Sequence, residues 1–129
     1  MFKSVLAALL LTASSAVAAL DKLPFDEARF AELQRAGEVV LVDIYAPWCK
    51  TCQKQQEIVA RWAEENPGRK FTVLAVDFDD DKASVTRFKA PRQSTLVLFK
   101  GETQQWFSVA ETRYEVVAAA LDQAYAGGG

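Results

Sequence analysis

Histidine is missing from all 129 residues. With it go the commonest metal ligand and the commonest general base, and so most hydrolase and zinc-enzyme chemistry. There is no Gly-rich loop of the kind that cradles phosphates. The formal net charge is only −2, and no basic face for nucleic acid stands out. No internal repeat occurs. Cysteine occurs just twice, and both copies fall in one short stretch, Cys49-Lys50-Thr51-Cys52. What is present is a hydrophobic half and a charged quarter, at a length that suits one packed domain.

The N-terminus reads as an export signal. Lys3 supplies the positive start, Val5 to Leu11 a short apolar core, and Ala16-Val17-Ala18 the small-x-small pattern that signal peptidase accepts. The apolar stretch falls short of the ~20 residues a membrane span needs, and Thr12, Ser14 and Ser15 break it. Residues 1–18 are therefore expected to be cleaved, residues 19–126 to form the folded domain, and Gly127 to Gly129 to be a flexible tail. The expected location is the periplasm, where disulfides persist.

Periodicity predicts the elements. Phe25 to Ala36 reads as a helix, bracketed by Pro24 and Gly37. Residues 39–45 form a strand that is apolar on both faces, hence central in a sheet covered on both sides. A helix over about 50–65 turns Ile58, Val59 and Trp62 inward and stops at Asn66-Pro67-Gly68. Phe71 to Phe78 is a second buried strand. The acidic run Asp77 to Asp81 reads as a solvated cap for a short helix through Phe88. Thr95 to Phe99 and Gln104 to Ser108 form a hairpin about Lys100-Gly101-Glu102. Thr112-x-x-Glu115 reads as a capping box for a last helix that buries Val116, Val117, Ala120 and Leu121. The fold class is α/β, a central mixed sheet of about four to five strands with helices on both faces.

The chemistry sits where the first predicted strand delivers the cysteines to a helix start. Free N–H groups and the helix dipole favour a thiolate there, with a pKa between roughly 3.5 and 7.5 instead of about 8.5. Cys49 is expected at the exposed end, with Cys52 one turn deeper on the same face. As a staple, so small a loop does little, because the entropic gain of a disulfide grows with loop length. A redox pair is the better reading. Asp43, inside the apolar strand, costs several kcal/mol if ionised and unpaired, so burial should raise its pKa and make it a proton acceptor near neutral pH.

Val42-Asp43-Ile44-Tyr45-Ala46-Pro47-Trp48-Cys49-Lys50-Thr51-Cys52 closely resembles the active-site segment of thioredoxins, and Thr95 to Glu102 resembles their strand and turn after the cis-proline loop. The likeness covers about residues 25 to 125. It implies a thioredoxin fold, with Cys49 as nucleophile, Cys52 as resolving thiol, a redox-active Cys49–Cys52 disulfide, and Asp43 as the acid that takes the proton of Cys52. Trp48 and the loop residues Gln93, Ser94 and Thr95 are the implied substrate contacts. Three positions depart from the family. Ser94 stands where the cis-proline is usual, so the Gln93–Ser94 peptide is expected to be trans, with a hydroxyl beside the sulfurs. The lysine that partners the acid in many thioredoxins aligns with Ala75. The middle pair is Lys-Thr instead of Gly-Pro, and Lys50 should stabilise the Cys49 thiolate and make the disulfide more oxidising.

The expected function is a thiol–disulfide oxidoreductase without cofactor, a monomer that acts on exported proteins. Reduction, fed by a membrane thiol carrier, is the expected direction, since no added helical or dimerisation domain of the family's oxidases and isomerases is seen. Two other readings stay open. One is a metal or iron–sulfur binder, which with two thiolates per chain needs a dimer or outside ligands. The other is a binding module whose cysteines are incidental.

Overall fold

The computed structural model describes residues 20–126. The expected signal, 1–18, and tail, 127–129, lie outside the described residues. In chain order the elements are β1 (Leu20–Pro24), α1 (Glu27–Arg35), β2 (Val39–Tyr45), α2 (Lys50–Glu65), β3 (Phe71–Asp77), α3 (Lys82–Arg87), β4 (Thr95–Lys100), β5 (Thr103–Val109) and α4 (Tyr114–Ala126). They build one five-stranded sheet in the order β1-β3-β2-β4-β5. β1 and β2 run parallel to β3, whereas β4 runs antiparallel to β2 and β5 antiparallel to β4. This is the thioredoxin fold that the active-site stretch implies.

β2 is central because residues 39–44 are all buried. Alternation sorts its side chains. Val39 and Leu41 pack with Ile58, Val59 and Trp62 of α2 and with Val117, Leu121 and Ala124 of α4. Val40, Val42 and Ile44 pack on the other face with Phe30 of α1 and with Phe88. Asp43 has the parity of Val39 and Leu41, so its carboxyl enters the α2 side. Local signals fix the helix ends. Asp26 accepts the Arg29 N–H at 2.9 Å and Asp81 the Ser84 N–H at 3.0 Å. Gly37, at φ +72°, closes α1 in the left-handed conformation that glycine adopts without penalty. Among the described residues, no helix is long and apolar enough to cross a membrane.

Two elements differ from the sequence reading. β1 lies outside the elements that periodicity predicts: Leu-Asp-Lys-Leu-Pro neither alternates nor forms an apolar run. It is an edge strand paired on one side only, where charges and a terminal proline are tolerated. The capping box at Thr112 does not form. α4 begins at Tyr114 instead, and the Glu111 carboxylate accepts both the Arg113 N–H, at 3.0 Å, and its guanidinium. That pairing with Arg113 holds the Glu111 carboxyl well down, at about 2. On this helix Val117, Leu121 and Ala124 are buried, while Val116 and Ala120 are only half-buried.

Candidate active site

The site is assembled at the carboxyl end of β2, where Ala46 to Trp48 carry the chain into α2. Cys49 is the N-cap of α2, and its Sγ accepts the Cys52 N–H at 3.1 Å. The two cysteines are joined as a disulfide, with Cα atoms 5.3 Å apart. The expected exposure of Cys49 is corrected: it is only 3% exposed and Cys52 is fully buried. Its sulfur turns back over its own helix start and beneath Ser94, while the preceding Trp48 takes the solvent-facing position at 63% exposure. Lys50 is exposed in the first turn of α2.

Ser94 lies over both sulfurs. Its Oγ is 3.2 Å from Cys49 Sγ and 3.2 Å from Cys52 Sγ. Its peptide is trans, and φ is +67°, a left-handed conformation that is disfavoured for a residue with a Cβ. Three hydrogen bonds hold it there. Its N–H donates to Ile44 O at 2.8 Å, and its carbonyl accepts from Ala110 N at 2.9 Å and from Gln55 Nε2 at 3.1 Å. Thr95 turns inward and donates its hydroxyl to Arg92 O at 2.7 Å. Ser94 and Thr95 are thus wholly buried, so of the four expected substrate contacts only Trp48 and Gln93 have access to solvent.

Asp43 is buried behind this layer, on the wall of a cavity of about 40 Å³ that it shares with Lys22, Gln55 and Gln56. Burial pushes its carboxyl up to about 6, held back by the Lys22 ammonium and then by Gln56. Lys22 arrives from β1, where it pairs with Val73, so a cation faces the acid although Ala75 fills the usual lysine position. Asp43 Oδ1 and Gln55 Oε1 are both buried without a hydrogen-bond partner. The cavity has room for about one water between such groups. Among the described residues, no three His, Cys, Asp or Glu side chains gather to hold a metal ion. A metal on the two thiolates would need ligands from elsewhere.

Three contributors escaped sequence reasoning. Gln55 carried a signal: it is a polar residue in the inward stripe of Cys52, Ile58, Val59 and Trp62. Lys22 carried none, because its strand was not anticipated. Nor did Asp79, whose Oδ2 accepts the indole N–H of Trp48 at 2.8 Å across 31 positions. The acidic run is thus more than a solvated cap: Asp81 caps α3, Asp77 Oδ1 accepts the N–H groups of Asp79 and Asp80, and Asp79 anchors Trp48.

Comparison with known proteins agrees with this architecture. The Thioredoxin family model matches residues 21–123. A thioredoxin of Alicyclobacillus acidocaldarius is 31% identical over 75 residues, 58% of this chain and 70% of that protein. The protein disulfide-isomerase erp38 of Neurospora crassa is 31% identical over 110 residues, 81% of this chain but only 29% of that longer protein. The crystal structure of Trxlp from Edwardsiella tarda superposes with a TM-score of 0.73 at 32% identity, covering 78% of this chain and 98% of that one. With a paired Cys-x-x-Cys at a helix start and a family match over nearly all the described residues, the chain belongs to the thioredoxin family and is a thiol–disulfide oxidoreductase.

Proposed function

We propose that the protein works in the periplasm as a reductase of disulfides in exported proteins, after removal of residues 1–18. The observation that carries the redox step is the seat of Cys49: its sulfur caps α2 and accepts the Cys52 N–H at 3.1 Å. In the dithiol form, the free amides and the helix dipole favour a Cys49 thiolate, and the exposed Lys50 adds positive charge beside it. The thiolate attacks one sulfur of the substrate disulfide. That S–S bond breaks, the other substrate sulfur leaves as a thiolate and takes a proton from water, and Cys49 is held in a mixed disulfide. Cys52 then gives its proton to Asp43 and attacks Cys49 Sγ; the Cys49–substrate bond breaks, the remaining substrate sulfur leaves as a thiolate, and Asp43 releases its proton through water to that sulfur. Two electrons pass from the dithiol to the substrate, and the protein ends in the disulfide form.

Asp43 suits the role of proton acceptor because its carboxyl is held at about 6, so it is mostly ionised yet still basic near neutral pH. Trp48, fixed by Asp79, and Gln93 form the rim on which a substrate strand docks. Restoring the dithiol needs a two-electron donor outside the chain, and a membrane thiol carrier would supply it. The support for export is Lys3, the apolar core Val5 to Leu11 and Ala16-Val17-Ala18. The protein is taken to act as a monomer and without a cofactor.

Trapping tests the whole reading. Cys52→Ala, expressed in the native host, leaves the mixed disulfide unresolved. Exported proteins linked to Cys49 are the expected catch, and the mass of the recovered chain should begin at Ala19. An empty trap, under conditions in which another family member captures partners, would overturn the catalytic reading. Cytoplasmic partners on an uncleaved chain would overturn the location.

A further inference from the structure

We propose that Ser94 is a catalytic residue of the redox pair, its hydroxyl stabilising in turn whichever sulfur carries charge, and that Gln55 is the positioning residue that holds it there. The proposal rests on the reading of Cys49 as attacking sulfur and Cys52 as resolving sulfur.

The geometry is specific. One oxygen stands 3.2 Å from each of the two sulfurs, and the serine is wholly buried, so bulk water does not compete for it. In the disulfide neither sulfur carries a proton, so Ser94 must be the donor. A hydroxyl has one rotatable O–H and two lone pairs, so it can donate to one sulfur while accepting from the other. In the dithiol form it donates to the Cys49 thiolate and accepts from the Cys52 thiol. A hydrogen bond to an ion is stronger than one to a neutral group, so the first contact lowers the pKa of Cys49. The second keeps the remaining proton on Cys52. Once Cys49 is bonded to a substrate sulfur, it no longer carries charge. The same O–H is then free to swing to Cys52 and stabilise its thiolate as Asp43 takes the proton. Ser94 forms and breaks no covalent bond. It follows the charge.

Such a role demands a fixed oxygen. Ser94 is held at φ +67°, and the next residue along this wall, Ala110, is at φ +58°, both in the disfavoured left-handed region. Gln55 ties the two segments together. Its Nε2 donates to Ser94 O at 3.1 Å and to Glu111 O at 3.2 Å, while Ala110 N donates to the same Ser94 carbonyl. It is 1% exposed, on the helix face that also carries Cys52. An amide in the middle of an apolar stripe is costly unless hydrogen-bonded, and here both its bonds are directed to the backbone that frames the sulfurs. The titratable groups on the surrounding elements include Lys22, Asp43, Tyr45, Lys50, Lys54, Glu57, Arg92 and Glu111. Among the described residues, none has a side chain hydrogen-bonded to Ser94 Oγ or to either sulfur.

The test follows Cys49 ionisation in the full reduced chain, by thiolate absorbance and by the pH profile of alkylation, together with the disulfide equilibrium against glutathione. Ser94→Ala is expected to raise the Cys49 midpoint by about one pH unit. It should also move the glutathione equilibrium about tenfold toward the disulfide, or about 30 mV. Ser94→Gly removes the hydroxyl but relieves the left-handed strain, so it should give the same shift in a more stable protein. Gln55→Leu should shift the midpoint in the same direction by less, and should add nothing to Ser94→Ala in the double variant, as coupled residues do. If both Ser94 variants leave the midpoint within about 0.3 pH unit of the parent, the proposal is overturned. If Gln55→Leu adds fully to Ser94→Ala, the positioning role is overturned. The parent separates these from the function itself: a parent Cys49 that attacks a model disulfide no faster than free cysteine at the same pH overturns the redox reading, whatever the variants do.

Discussion

The two faces of the sheet are built differently. Against α1 and α3 the filling is apolar and aromatic: Phe30 stands edge-on to Phe88 and Phe99 with ring centroids 5.7 Å and 5.1 Å apart, and Phe25 closes the group. Against α2 and α4 the core is also apolar at its far end, but near the disulfide it admits Asp43, Gln55 and Ser94. A core gains most from dry close packing and loses by burying polar groups. Both faces thus contribute apolar packing to the fold. The second gives up some of that stability to keep a carboxyl, an amide and a hydroxyl beside two sulfurs.

Breaking each face should affect different measurements. The largest effect is expected from Cys49→Ser, which removes the sulfur proposed to attack: insulin-type disulfide reduction should fall to the uncatalysed rate, while the denaturation midpoint barely moves because the lost loop is so short. Biological activity left intact by Cys49→Ser would dismiss the redox reading in favour of a binding module. Next is Phe30→Ala on the aromatic face. It should cost about 3–5 kcal/mol in urea unfolding and leave the pH profile of Cys49 alkylation unchanged at temperatures where the protein stays folded. A shifted profile would mean that the two faces are not independent.

Asp43→Asn sharpens the contrast, because it should stabilise the protein while impairing it. In the folded chain the carboxyl keeps its proton up to about 6, against 3.8 for the ordinary group. Between those values the native state binds more protons than the unfolded one. The contribution to stability is therefore present at low pH, is lost as pH rises through that window, and stays lost above it. At pH near 8 the variant should be about 2–3 kcal/mol more stable than the parent, and near pH 3 the two should coincide. Under turnover at the higher pH, mixed disulfide should accumulate. Equal stability at both pH values would show that burial does not penalise the ionised carboxyl of Asp43. The smallest effect is expected from Asp81→Ala, which removes the N-cap of α3 and should cost about 1 kcal/mol with Cys49 ionisation untouched. A loss of several kcal/mol would mean that α3 carries more of the fold than one cap.

Much of this was legible along the chain. β2 declared itself by an unbroken apolar run, α2 by its stripe and its Asn-Pro-Gly stop, and the cysteines by lying between the two. Elements with strong local signals appeared where periodicity put them. The two failures have different causes. β1 has five residues, two of them charged, and becomes a strand only because β3 offers it an edge. At the start of α4, Glu111 takes the Arg113 N–H and guanidinium two residues on, and the Thr112–Glu115 capping box does not form. The first depends on a partner strand about 50 positions away, whereas the second is a local side-chain pairing that hydrophobic periodicity does not register.

Sequence by itself determined the fold class, the redox pair, the buried acid on the strand before it and the serine where proline is usual, because each is written in residue type and near-neighbour spacing. Only tertiary structure decided what surrounds the sulfurs. Lys22 faces Asp43, Asp79 anchors Trp48, Gln55 binds the backbone of Ser94, and Cys49 is covered, not exposed. These contacts join residues 21 to 45 positions apart, and distance along the chain sets no limit on contact once a sheet has brought five strands together.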